Sequence, residues 1–173
     1  GTGSENFSVD SSGNISLVNA LDYETATSYT LALNASDGVN TTTSELIITV
    51  DDVNEAPSLT NALAASSFAE NVSTGTTIAT ASASDPESQS ITYSLSGSGS
   101  GNFAVDSSGN ITLAAGLDYE TATSYSLTLS ASDGVNTTTN TLAISISDVN
   151  EAPSLSNALA ASSFAENVAT GTT

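Results

Sequence analysis

Residues 124–153 read SYSLTLSASDGVNTTTNTLAISISDVNEAP. Apolar side chains at Tyr125, Leu127, Leu129 and Ala131 alternate with Ser126, Thr128 and Ser130. Beyond the turn signal SDGVN, Leu142, Ile144 and Ile146 alternate with Thr141, Ala143 and Ser145. A period of two sends successive side chains to opposite faces, so each run is a half-buried strand and the two form a hairpin. In the turn, Asp133 favours the bend and Gly134 supplies a positive φ. The second strand runs into DVNEAP, where an Asp, an Asn and a Glu stand immediately ahead of a proline that ends the unit.

Working outward, DVNEAP at 148 has a twin at 52, LDYE at 117 has one at 21, and FAENV at 164 has one at 68, every pair 96 residues apart. Sliding residues 1–77 onto 97–173 makes most positions identical. A fixed period of this length marks a tandem array of domains. Its phase divides the chain into the later part of one unit at 1–57, a whole unit at 58–153 and the start of another at 154–173. Both terminal units lack sequence that lies outside the chain or on another copy of it. Within the whole unit, further strands are expected at 59–68, 76–83, 90–96, 103–105 and 110–113. With the hairpin they make seven, a number suited to a sandwich of roughly 100 residues. The turn DSSGN, at 10–14 and 106–110, punctuates them.

Composition narrows the chemistry. The 173 residues include 19 acids and no Lys, Arg, His or Cys, for a net charge of −19. The usual general base, thiolate nucleophile and Schiff-base amine are therefore missing, and the segment is expected not to be an enzyme. Nucleic acid is excluded as a partner, because phosphate binding depends on Lys and Arg. Thiolate or imidazole zinc sites and disulfides are excluded for want of ligands. No apolar run is long enough to insert into a membrane. What remains is a chain whose charge calls for cations.

The acids are not scattered. In the whole unit they fall in AEN (69–71), DPE (85–87), LDYE (117–120), SDG (132–134) and DVNEAP (148–153), all at predicted turns and unit ends. In that order, along one seven-stranded unit, these tags resemble the extracellular cadherin repeat. The resemblance covers the full chain. It implies an all-β fold of tandem seven-stranded Greek-key β-sandwiches, Ig-like and cadherin-like, in a linear array with Ca²⁺ at each junction. It further implies that Glu70, Asp118, Glu120, Asp148, Asn150 and Glu151 form the upper side of one junction. Asp22, Glu24, Asp52, Asn54 and Glu55 form the upper side of the preceding one, met from below by Asp85, Glu87 and Asp133. Asp37, the counterpart of Asp133 in the first unit, and Glu166, in the second AEN, belong to junctions further out.

Elementary electrostatics agrees with a cation cage. Calcium takes six to eight oxygen ligands, and Asp, Glu and Asn supply them. Without ions, carboxylates gathered at one junction repel by about 1 kcal/mol per close pair in water and up to ~4 at an effective dielectric of about 20. An ion there would close the junction and stiffen it. The tags depart from the animal pattern D-x-N-D-N-x-P: Glu stands for the second Asp, the linker is one residue shorter, and DPE replaces D-x-D. Such departures, with near-identical repeats, look more like the arrays of large bacterial surface adhesins.

The reading is thus of a secreted or cell-surface, calcium-rigidified stalk, fibre or matrix segment, with neighbouring repeats of the same protein as its partners. Other copies in a filament would add to them if residues 154–173 complete the unit at 1–57. The alternative is a module gripping carbohydrate or another cell-surface ligand, which the low aromatic content of 5% disfavours. For DSSGN the simplest account is a turn. The N-x-[ST] tripeptides, as at Asn14, Asn40 and Asn71, are ordinary in so Asn- and Ser-rich a chain.

Overall fold

The computed structural model describes residues 3–61, 63–155 and 166. In chain order its strands are β1 (Phe7–Val9), β2 (Ile15–Leu17), β3 (Ser28–Ser36), β4 (Thr41–Thr49), β5 (Ser58–Leu59), β6 (Ser66–Ala69), β7 (Thr77–Thr80), β8 (Ala83–Ser84), β9 (Thr92–Ser98), β10 (Phe103–Val105), β11 (Asn110–Leu113), β12 (Ser124–Ser132) and β13 (Thr137–Ser147).

Between Ser58 and Ser147 these strands build a β-sandwich. One sheet has the order β6-β13-β12-β9 and the facing one β10-β11-β7. The central hairpin pairs Leu127 with Leu142 and Tyr125 with Ile144. Tyr125, Leu127, Leu129, Ala131, Leu142, Ile144 and Ile146 are all buried, as the alternation requires. All but Ala131 meet Ile78, Phe103, Ile111 and Leu113 of the other sheet in one core.

Where the sequence suggests one strand at 59–68, the chain forms two. β5 pairs antiparallel with β8 in a small sheet of their own, and β6 pairs parallel with β13, so this first strand passes from that small sheet to the four-stranded one. The run between them is Ala-rich and offers little β-branched surface to hold a ladder. At the break, Asn61 replaces main-chain pairing: its Nδ2 donates to the Thr80 carbonyl at 2.7 Å, and its Oδ1 accepts the Ser82 amide at 2.7 Å. The second expected strand, 76–83, is interrupted at the same level, where the Ala81 amide donates to the Gly109 carbonyl at 2.8 Å. The expected strand at 90–96 is shifted to Thr92–Ser98.

The first unit repeats the second half of this plan. β1 pairs with β2, and β3 with β4. An edge-to-face aromatic pair with centroids 5.4 Å apart recurs as Phe7–Tyr29 and Phe103–Tyr125. Each Tyr lies against a left-handed glycine; a Cβ on Gly99, at φ 77°, would come within 2.2 Å of the Tyr125 ring. The two units differ in cover. Leu113 and Leu142 are 1% and 0% exposed, whereas their counterparts Leu17 and Leu46 are 56% and 39% exposed. The strands that cover the former, β6, β7 and β9, have no counterpart among residues 3–57.

Candidate metal centre at the unit junction

Two acidic centres emerge, one for each copy of the linker. In the first, Glu24, Asp52 and Glu87 each bring a carboxylate oxygen within 4.8 Å of the others. Glu24 comes from the turn before β3, Asp52 from the segment after β4, and Glu87 from the turn after β8, so the centre joins the first unit to the second. The Glu87 turn is tight. Ser88 adopts a left-handed φ of 61°, its amide donates to the Asp85 carbonyl at 3.1 Å, and the Gln89 amide donates to Asp85 Oδ1 at 2.9 Å. Folded back in this way, Asp85 Oδ2 and both Glu87 oxygens are buried with no amide or hydroxyl donor among the described residues.

Glu55 lies against the Glu87 carboxylate. A shared hydrogen bond with Glu87 is the largest reason its carboxyl is pushed up to about 7, followed by burial and the charges of Glu87, Glu24 and Asp52. The same shared hydrogen bond, now stabilising the ionised partner, lowers Glu87. Asp22, exposed, lines the adjoining groove with Glu24 and Glu55. Its two oxygens accept the Thr25 amide and hydroxyl, both at 3.0 Å. Asp51 shares that groove; its counterpart in the next repeat is Ser147, so the repeat tags give no signal for it.

Asp133 and Asn54 meet on the other side of the junction. Asn54 Nδ2 donates to Asp133 Oδ2 at 2.8 Å, and Asn136 Nδ2 donates to the Asn54 carbonyl at 3.0 Å. Gln89 Nε2 donates to Asn54 Oδ1. Asp133 is lowered, first by the Asn54 bond. Gln89 and Asn136 are absent from the sequence reading because neither is acidic; only the fold shows them turned toward the linker.

The second centre joins Glu70, Glu120 and Glu151 within the same 4.8 Å. Glu70 is the one buried charged residue among those described. Its Oε2 accepts the Tyr119 amide at 2.7 Å and its Oε1 the Val149 amide at 2.6 Å, so one side chain ties both LDYE and the linker to the end of β6. Those two bonds lower its carboxyl, while burial and the nearby Glu70 and Glu120 charges raise Glu151. Asp118 caps its own turn through the Thr121 amide and hydroxyl, which lowers it. Asp148 and Asn150 are exposed beside this centre.

Asp37 stands exposed at the tip of the β3–β4 hairpin, accepting the Val39 and Asn40 amides at 2.9 and 2.7 Å, away from both centres. Glu166 is exposed, with both neighbours outside the described residues. DSSGN is a turn in both copies: Asp106 Oδ1 accepts the Ser108 and Asn110 amides, and Asp10 makes the same bonds to Ser12 and Asn14.

The donor set suits a hard divalent cation. It consists of carboxylate oxygens, three of them buried with no amide or hydroxyl donor, in a chain without Lys, Arg or His. Fold and site together define a class: tandem β-sandwich domains with acidic clusters at their joints. Residues 65–147 match the cadherin domain model. The chain is 35% identical over 146 residues, 80% of its length, to human Cadherin EGF LAG seven-pass G-type receptor 1, and 33% identical over 139 residues, 76% of its length, to human Cadherin-23. It spans only 5% and 4% of those proteins. Among solved structures, human Protocadherin-24 EC1-2 matches with a TM-score of 0.60 and 26% identity, covering 86% of this chain and 80% of that one. The Protocadherin GammaB4 extracellular domain matches at 0.58 and 31%, covering 83% and 25%. The chain is cadherin-like: its central unit matches the cadherin domain model, and the relatives and solved structures it resembles are cadherins and protocadherins.

Proposed function

We propose that the chain is a calcium-rigidified stretch of a large secreted or cell-surface protein, with 1–57, 58–153 and 154–173 as successive repeats. It would serve as an adhesin stalk or extracellular fibre, in the manner of the repeat arrays of bacterial surface proteins. The observation that carries this reading is the first centre, in which Glu24 and Asp52 of one unit converge on Glu87 of the next. Asp22, Glu55 and Asp85 complete the set of oxygens that would hold the ion there; Glu70, Glu120 and Glu151, with Asp118, Asp148 and Asn150, would hold its equivalent at the next joint. A bound Ca²⁺ supplies positive charge that cancels the repulsion of the gathered carboxylates. The residues supply the coupling: the ligands come from both units, so binding energy becomes order between them.

Calorimetric calcium titration of the 173-residue chain tests this. Glu87→Gln is expected to remove binding at the first joint, whereas Glu45→Gln, on the exposed face of β4, leaves the isotherm unchanged. Equal isotherms for the two variants would overturn the assignment.

A further inference from the structure

The oxygens of the first joint fall into two populations. Asp85 Oδ2 and both Glu87 oxygens are buried and meet no amide or hydroxyl donor; the group against Glu87 is the Glu55 carboxyl. Those around Asp133 are already engaged by N–H groups. Asp133 Oδ1 accepts the amides of Val135 and Asn136 at 2.7 and 2.6 Å, and Oδ2 accepts Asn54 Nδ2 at 2.8 Å. The linker's own oxygens are taken too: Asn54 Oδ1 by the Gln89 carboxamide, and the Asn54 carbonyl by that of Asn136 at 3.0 Å. An oxygen that already accepts two N–H groups, as Asp133 Oδ1 does, has no lone pair left for a cation, and a carboxamide N–H rather than a lone pair faces Asp133 Oδ2, whereas the oxygens of Glu70, Asp22 and Asp118 accept one donor each. The Asp133 side therefore does not fit the role of cation cage.

It does fit another role. In a chain without a cationic side chain, the only protein groups able to satisfy a partly buried carboxylate are N–H and O–H donors. Here the Asn54 carboxamide on the linker donates to Asp133, and two more carboxamides, Gln89 after the DPE turn and Asn136 on the β12–β13 hairpin, donate to the oxygens of Asn54 itself. The linker is thereby tied to the second unit at two points beside the acidic centre.

We propose that Asn54, Gln89, Asn136 and Asp133 form a cation-independent latch that sets the angle between the units, and that calcium binds only on the Glu24–Asp52–Glu87 side. The inference rests on the calcium reading of that centre and divides the work of the joint. Carboxamides hold the linker in place before any ion arrives, so the carboxylates are presented as a preformed site. Gln89 and Asn136 can be replaced without altering a carboxylate. The Asp37 hairpin of the first unit makes the same turn with no cross-junction bond among the described residues, so the Asn136 side chain is not what shapes the hairpin.

The chain has no cysteine, so Thr30→Cys and Ser126→Cys place one spin label on each unit. Pulsed dipolar spectroscopy in calcium and in EGTA then reads the spread of inter-unit distances, and calorimetry reads the number of ions bound. In EGTA the latched chain is expected to keep a single narrow distribution. Gln89→Ala combined with Asn136→Ala broadens it in EGTA, leaves it narrow in calcium, and binds as many ions as the parent. Asp133→Asn also leaves the ion count unchanged. A parent distribution in EGTA as broad as that of the double variant overturns the latch, as does the loss of an ion in either variant. Should the parent bind no calcium, the cation reading fails, and the EGTA arm still decides the latch by itself.

Discussion

The residue whose behaviour reveals most about the joint is Glu55. Its carboxyl, pushed up to about 7 by the hydrogen bond it shares with Glu87, carries a proton in the ion-free fold that the unfolded chain would release near the ordinary value of 4.5. The sign follows from linkage. Stability from this proton is fully present below the unfolded value and is lost as pH rises through about 7. Glu87 works in the opposite sense: with its folded value lowered, its contribution is present above the ordinary Glu range and is lost as pH falls through that lowered value. An ion that takes up the pair must displace the shared proton. Calcium binding is therefore expected to release on the order of one proton at pH 6 and none at pH 8, because ligands bind deprotonated. Calorimetry in buffers of different ionisation enthalpy measures this. Glu55→Gln should abolish the release, and a release that is independent of pH would contradict the assignment.

At the scale of elements, the hairpin of β12 and β13 carries the fold. Its alternation was legible because small hydroxyl residues separate large apolar ones with no interruption, and the Leu127–Leu142 pair lies at the centre of the core. Leu127→Ala should cost about 2–5 kcal/mol, the usual penalty for emptying a fully buried leucine site. Thermal unfolding of the chain would show it, and Ser126→Ala, one residue along on the outer face, should change little. A Leu127→Ala chain as stable as the parent would mean the sandwich core lies elsewhere. The edges were less legible. The first strand reads as continuous from 59 to 68, because nothing in an Ala- and Ser-rich run announces that it must change sheets. The crossing is fixed by long-range partners, β8 on one side and β13 on the other, and by the Asn61 side chain that bridges the gap. The candidate site divides in the same way. Acids in ordered tags were visible, and Glu24, Asp52 and Glu87 do come together. Gln89 and Asn136 were not, since a neutral carboxamide on a turn carries no signal until topology places it beside the linker.

For the whole molecule, the account makes the joint between units the place where stability is gained. Acids gather at the ends of each unit, and a chain without Lys or Arg offers no internal counterion to its net charge of −19. On the proposed reading, the carboxamide contacts would keep the angle of each joint with or without ions, and the ions would add stability to joints already in register. The most direct test of this central claim is thermal unfolding of the 173-residue chain in saturating calcium and in EGTA, with magnesium as control. An ion that binds only the folded joint at a hundred times its dissociation constant adds about 2.7 kcal/mol. The account predicts a higher midpoint in calcium than in EGTA or magnesium, and the loss of that increment in Glu87→Gln. A midpoint that is the same in calcium and in EGTA would contradict it.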